Sequence, residues 1–259
     1  MKELRVWKRY TLNSLQQALA NRTAFVLFTT GKLLRIVMFL VFLSFIFQGN
    51  KNIGGYNREQ IIFFYLSFNL IDTLAQLMFR EVYRFRDLVV TGDLDLVLTK
   101  PIHPLIRLLL GGFDPLDLSI LFLIVCLTIW YGVNNISHDP TLWLLYALLM
   151  LNGLVIATAF HILALGIGIL STSIDHLMMV YRDFTAMFRI PADLYIEPVR
   201  FLLTFIIPLG IMITFPAKAL MGALSVQFMA LALIIGIVSF FLALKFWNYS
   251  LKQYSSASS

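Results

Sequence analysis

Charge is scarce in this chain. Asp, Glu, Lys and Arg supply 13% of its 259 residues, against about 25% in an average soluble domain. A soluble fold of this length could not cover itself with so little polar surface. Cysteine is scarcer still: the single Cys126 excludes an intrachain disulfide framework. The four histidines, His103, His138, His161 and His176, fall in different segments with no ligand spacing between them, which argues against a metal site. Catalytic motifs are missing too. There is no HExxH and no nucleophile elbow, and Gly31-Lys32 lacks both the upstream glycine and the following Ser or Thr of a phosphate loop. We therefore expect no catalytic residue, no metal and no bound cofactor on this chain. The first twenty-odd residues are polar and have no apolar core or cleavage site of a signal peptide, so we expect them to be retained.

What the chain has is apolar length. Hydrophobic residues make up 59%, with 23 Phe, and mean hydropathy is +0.84. The expected fold class is all-α integral membrane, one transmembrane domain over residues 1–259. Crossing a hydrocarbon core of about 30 Å takes roughly 20 helical residues. Six stretches qualify: 24–47, 60–79, 117–133, 142–170, 199–214 and 226–246. In the fifth, Pro208 sits mid-span and Pro216 closes it. Residues 1–23 read as an amphipathic segment at the membrane surface, with Leu12, Leu15 and Leu19 on one stripe. Residues 80–113 form the largest polar loop. Residues 172–198 carry Arg182, Arg189, Asp175 and Asp183 and read as a cytoplasmic or interfacial segment, or one buried in protein, but not as a seventh lipid-facing span. The net charge of +6 does not imply a nucleic-acid partner, because the basic residues flank apolar runs instead of forming one patch. Their bias puts both termini and the 80–113 loop in the cytoplasm.

Within that loop, Tyr83 to Val90 can form a short helix. Thr91-Gly92-Asp93 breaks it, and Pro101 and Pro104 bracket His103. The following text, TGDLDLVLTKPIHPLIRLLLGGFDPLDL, resembles the signature of bacterial ABC type 2 exporter permeases. IPADLYIEPVRFLLTFIIPLG, FPAKALMG and the closing FWNYSLKQYSSAS extend the resemblance over nearly the whole chain. The resemblance implies a six-span permease of the bacterial cytoplasmic membrane. It would pair with a second permease, identical or not, and dock cytosolic ABC ATPase subunits that bind ATP and Mg. It further implies that 80–113 is the coupling loop, with the ATPase contact falling on Tyr83, Arg84, Arg86, Asp87, Gly92, Asp93, Asp95 and Pro101. Gly111-Gly112 departs from the pattern, standing where that family tends to place basic residues.

Two charges within spans invite pairing. Arg35 and Asp72 each lie about 12 residues, roughly 18 Å, from the outer end of their helix, and a charge at that depth is costly unless paired or hydrated. We expect Arg35 to face Asp72, with Lys32 near Gln76; the alternative is that Lys32 and Arg35 snorkel while Asp72 meets water. Gly153 with Ala157 and Ala164 with Gly168 suit close packing on the fourth span, most simply within one subunit. Two other functions compete. An ion-coupled secondary transporter would need broken inverted repeats, and an intramembrane lipid-modifying enzyme would need matched polar groups at one depth. Neither pattern is in the sequence.

Overall fold

The computed structural model describes residues 22–49, 52–111, 114, 116–171 and 174–254, together with 8, 9, 11–13 and 16. Most of the segment expected to lie at the membrane surface, 1–23, is outside the described residues. The described residues contain helices and no strand beyond one isolated bridge, Ile53 to Tyr56. Five long helices match the apolar runs within a few residues: α1 (Arg22–Ile46), α2 (Arg58–Phe79), α6 (Leu116–Asn135), α7 (Pro140–Leu170) and α11 (Val226–Gln253). Three short helices, α3 (Phe85–Val90), α4 (Asp93–Leu98) and α5 (Pro104–Leu110), fill the loop after α2.

The helix starts are written locally. Asn57 accepts from Gln60 N while the Gln60 side chain accepts from Asn57 N, a reciprocal cap on α2. Asp139 caps α7 ahead of Pro140, and Ser225 caps α11. Helix α2 is the centre of the bundle. Ile61 to Ile71 are all buried against α6, α7 and α10 (Leu209–Leu220), whereas α1 and α11 turn most of their apolar side chains outward, as lipid-facing helices do.

The region after α7 corrects the sequence reading. Residues 174–198 do not stay at one end of the bundle. Helix α8 (Ile174–Met187) begins where Asp175 pairs with Arg86 at 3.5 Å, beside the 80–113 loop. The chain then reaches Asp193, which accepts a 2.6 Å hydrogen bond from the hydroxyl of Tyr56, in the turn before α2 at the opposite end. The segment thus runs from one end of the bundle to the other. Fourteen helical residues rise about 21 Å, and the stretch to Asp193 adds the rest.

Residues 199–214, expected to be the fifth span, form a hairpin. A short α9 (Glu197–Phe201) runs into a π-helical turn (Leu202–Ile206), the chain bends by 95°, and α10 returns. Both limbs end beside Asp193: Arg200 lies 3.9 Å from it and Lys218 3.1 Å. The hairpin therefore enters and leaves at the same end of the bundle. Pro208 stands at the bend, where its ring and missing N–H break the ladder. Pro216 does not close α10, which continues to Leu220. Pro216 leaves the Met212 carbonyl without its helical donor, and that carbonyl lies against Gly153 of α7. A Cβ at Gly153 would meet it at 2.6 Å. The small residues of α7 thus serve packing within the subunit, including Gly168, which seats the ring of Phe85.

Candidate functional site

The loop between α2 and α6 folds as a compact knob. Its inner face is apolar: Val82, Phe85, Leu94, Val97, Leu105, Leu108 and Leu109 are buried. Ion pairs fasten its edges. Arg80 lies 3.3 Å from Asp114, Arg107 3.2 Å from Glu81, and Arg86 reaches Asp175 of α8. Gly92 turns the chain between α3 and α4 at φ 78°, a left-handed angle that favours glycine. Next to it, the Thr91 hydroxyl lies 2.8 Å from both the Asp87 carbonyl and the Asp93 carboxylate, which stiffens the turn. At the end of α11, burial and the neighbouring Asp95 carboxylate push the Tyr254 phenol above the ordinary tyrosine range.

Of the residues assigned to the loop contact, Arg84, Arg86, Asp87, Asp93 and Pro101 are exposed on the knob, and Gly92 and Asp95 are half-buried in it. Tyr83 does not join them. It turns inward, with the Arg80 guanidinium 5.8 Å from its ring centre and His161 of α7 behind it. Two residues escaped the sequence reading: Val90, the last residue of α3, is 55% exposed, and Leu96 within α4 is 60% exposed. The available signal was helical spacing. With Leu94 and Val97 inward in a six-residue helix, Leu96 must point away.

A second polar feature lies between α1, α2 and α8. Arg35 and Asp72 both line a cavity of about 260 Å³ there, together with Gln76, Arg182, Asp183 and Arg189. They form no ion pair among the described residues. Asp72 instead accepts from Gln76 Nε2 at 2.7 Å. The charge on α1 that is paired is Lys32, which donates to Gln76 Oε1 at 3.1 Å and to the buried carboxylate of Asp117 at the start of α6. The reason is packing: α1 rests on α6 more than on α2, so the acid within reach of its inner face belongs to α6.

At the opposite end, Asp193 gathers Tyr56, Lys218 and Arg200. Burial alone would raise this carboxylate. The Tyr56 hydroxyl, Lys218 and Arg200 together outweigh it and hold Asp193 below its ordinary value. A depressed carboxylate stabilises the fold above its unfolded pKa, about 3.9, and that contribution is lost as pH falls through the lower folded value. Asp193→Asn is therefore expected to reduce thermal stability at pH 7, with the gap to the parent closing below about pH 4. A gap that persists unchanged in acid would show that the charge is not what holds the hairpin.

Among the described residues no group of three or more His, Cys, Asp or Glu is placed to hold a metal ion. A family model described as "ABC-2 family transporter protein" matches residues 33–258, most of the chain. No curated protein and no solved structure matches.

Proposed function

Because the chain belongs to the ABC-2 family of transporter proteins and so supplies the membrane-spanning permease component of an ABC transporter, we propose that it serves an exporter whose ATP is hydrolysed on a separate cytosolic ATPase. The knob is the ATPase docking element. The observation that carries this reading is the knob's two-sided construction. Its inner face is tied into α2, α7 and α8 by buried Phe85 and Leu94 and by ion pairs, while its outer face presents Arg84, Arg86, Asp87 and Asp93 around Val90 and Leu96. Apolar anchors ringed by charge are what a protein interface uses. A rigid element contacting α8 directly can pass a push from the ATPase into the segment that lines the cleft.

ATP and Mg would bind on the partner, and this chain would supply no catalytic residue. A second permease subunit, identical or related, would complete the pathway across the exposed flank of α1 and α8. Knob and termini would face the cytoplasm of a bacterial cell, since Lys and Arg still favour that side with Arg182 and Arg189 counted within the bundle and Arg200 at the far end.

Replacing Asp93 and Asp95 together with Ala is expected to abolish stimulation of ATP hydrolysis by the permease while membrane insertion stays intact. ATPase stimulation equal to the parent's would overturn the coupling role.

A further inference from the structure

The cleft between α1, α2 and α8 has a chemical character that the permease reading does not by itself specify. Its end nearest the knob is a cavity of about 450 Å³ lined by Lys32, Arg35, Arg80 and Arg182, with Gln76 and Tyr83, and among the described residues no carboxylate lines it. Lys32 and Arg80 have acids behind them, Asp117 and Asp114. Arg35 and Arg182 have no ion-pair partner among the described residues, and neither does Arg189 in the adjoining cavity, where Asp72 and Asp183 also face inward. Arg35 lies 13 residues along α1 from Arg22, about 20 Å at 1.5 Å per residue, so its charge sits at membrane depth, where an unpaired guanidinium is costly and marks a function. Guanidinium groups hold phosphate and carboxylate in two-pronged contacts that an ammonium cannot match.

Beyond Arg35 the chemistry changes. A cavity of about 420 Å³ continues along α1, lined mainly by Leu34, Met38, Phe39, Phe42 and Tyr65, with Arg189 also in its wall. Gly31 and Arg35 line both this cavity and the cationic one. A Cβ at Gly31 would meet nothing within 4 Å, so no side chain walls the two apart at that point. A cationic pocket opening directly into a mainly apolar groove on the exposed face of α1, where Leu34, Met38 and Phe42 stand outward, fits a molecule with a charged head and a greasy tail.

We propose that this cleft binds an amphiphile with an anionic headgroup, the head held by Arg35 and Arg182 and the tail laid along Met38, Phe39 and Phe42. The inference rests on the permease reading for the cleft's role in transport, but the binding itself needs no ATPase.

The test uses the purified full chain in neutral detergent and follows lipid binding by native mass spectrometry. The probes are phosphatidylglycerol, phosphatidylcholine with the same acyl chains, and inorganic phosphate. Phosphatidylglycerol is expected to bind about tenfold more tightly than phosphatidylcholine, the scale of one charge-assisted contact, and free phosphate is expected not to displace it. Arg35→Gln with Arg182→Gln should erase the headgroup preference. Met38→Trp, which alters no charge, should weaken phosphatidylglycerol by filling the tail groove.

Equal binding of the two lipids, or a preference that survives the double arginine variant, would overturn the headgroup assignment. Displacement by phosphate, or an unchanged affinity in Met38→Trp, would overturn the amphiphile. Lost lipid preference with an ATPase partner still bound sinks this inference alone. A missing partner with lipid preference intact sinks the exporter reading and leaves the binding site standing.

Discussion

Replacing Lys32 with Met is expected to destabilise the protein by about 3–5 kcal/mol, the usual consequence of stranding one member of a buried ion pair. Asp117 is fully buried and Lys32 nearly so, and one carboxylate oxygen, Asp117 Oδ2, already has no hydrogen-bond partner among the described residues. Without the ammonium, the carboxylate would have to protonate or draw in water. The double variant Lys32→Met with Asp117→Leu removes both charges and is expected to recover most of the loss, because an ion pair replaced by apolar groups of similar volume is often neutral. Thermal unfolding of the three variants in detergent measures this. If Lys32→Met melts with the parent, the pair does not fasten α1 to α6.

Placing charge on the tip of the knob should have the largest functional effect. Val90→Asp with Leu96→Asp puts two carboxylates where exposed apolar side chains now stand, and burying an unpaired charge in an interface costs several kcal/mol. Loss of about 4 kcal/mol lowers affinity roughly a thousandfold, enough to abolish recovery of an ATPase partner with the permease. Both side chains already face outward, so folding should be unaffected, and gel filtration should match the parent. A variant that folds normally and still recovers the partner in full would remove the tip from the interface.

Most of the architecture was legible because lipid solvation writes in long runs. Five crossings announce themselves as apolar stretches, and Asn57, Asp139 and Ser225 mark where three of them begin. The course of residues 174–198 was hidden for a physical reason. Helix α8 carries Arg182 and Asp183, and the turn after it Arg189, toward the cleft, and a segment that runs the length of the bundle with its polar side on a cavity looks like an aqueous one when judged by average hydropathy. The hairpin misleads in the opposite direction. Residues 199–214 are mainly apolar and α10 packs against α7 and α2, yet Pro208 folds the stretch back on itself.

The site was partly legible. The loop's turn residues and charges identify a knob, and Gly92 falls at the left-handed turn. Tyr83 could not be separated from its exposed neighbours without knowing that His161 and Arg80 lie on its side. Depth alone proposed Arg35 with Asp72, but which acid a lysine or arginine meets depends on which helix is next door, and helix adjacency is not written in any single span.

Because Cys126 is the only cysteine, the central claim can be tested at one position. Leu96→Cys in a Cys126→Ser background places a single thiol at the knob's tip. In intact cells carrying the native partners, a thiol-reactive photocrosslinker attached there should give one adduct, whose second component is identified by peptide mass spectrometry as a phosphate-loop ATPase, with the thiol shielded from membrane-impermeant reagents added outside. Labelling of residue 96 from outside the cell, or an adduct that contains no ATPase, would contradict the account.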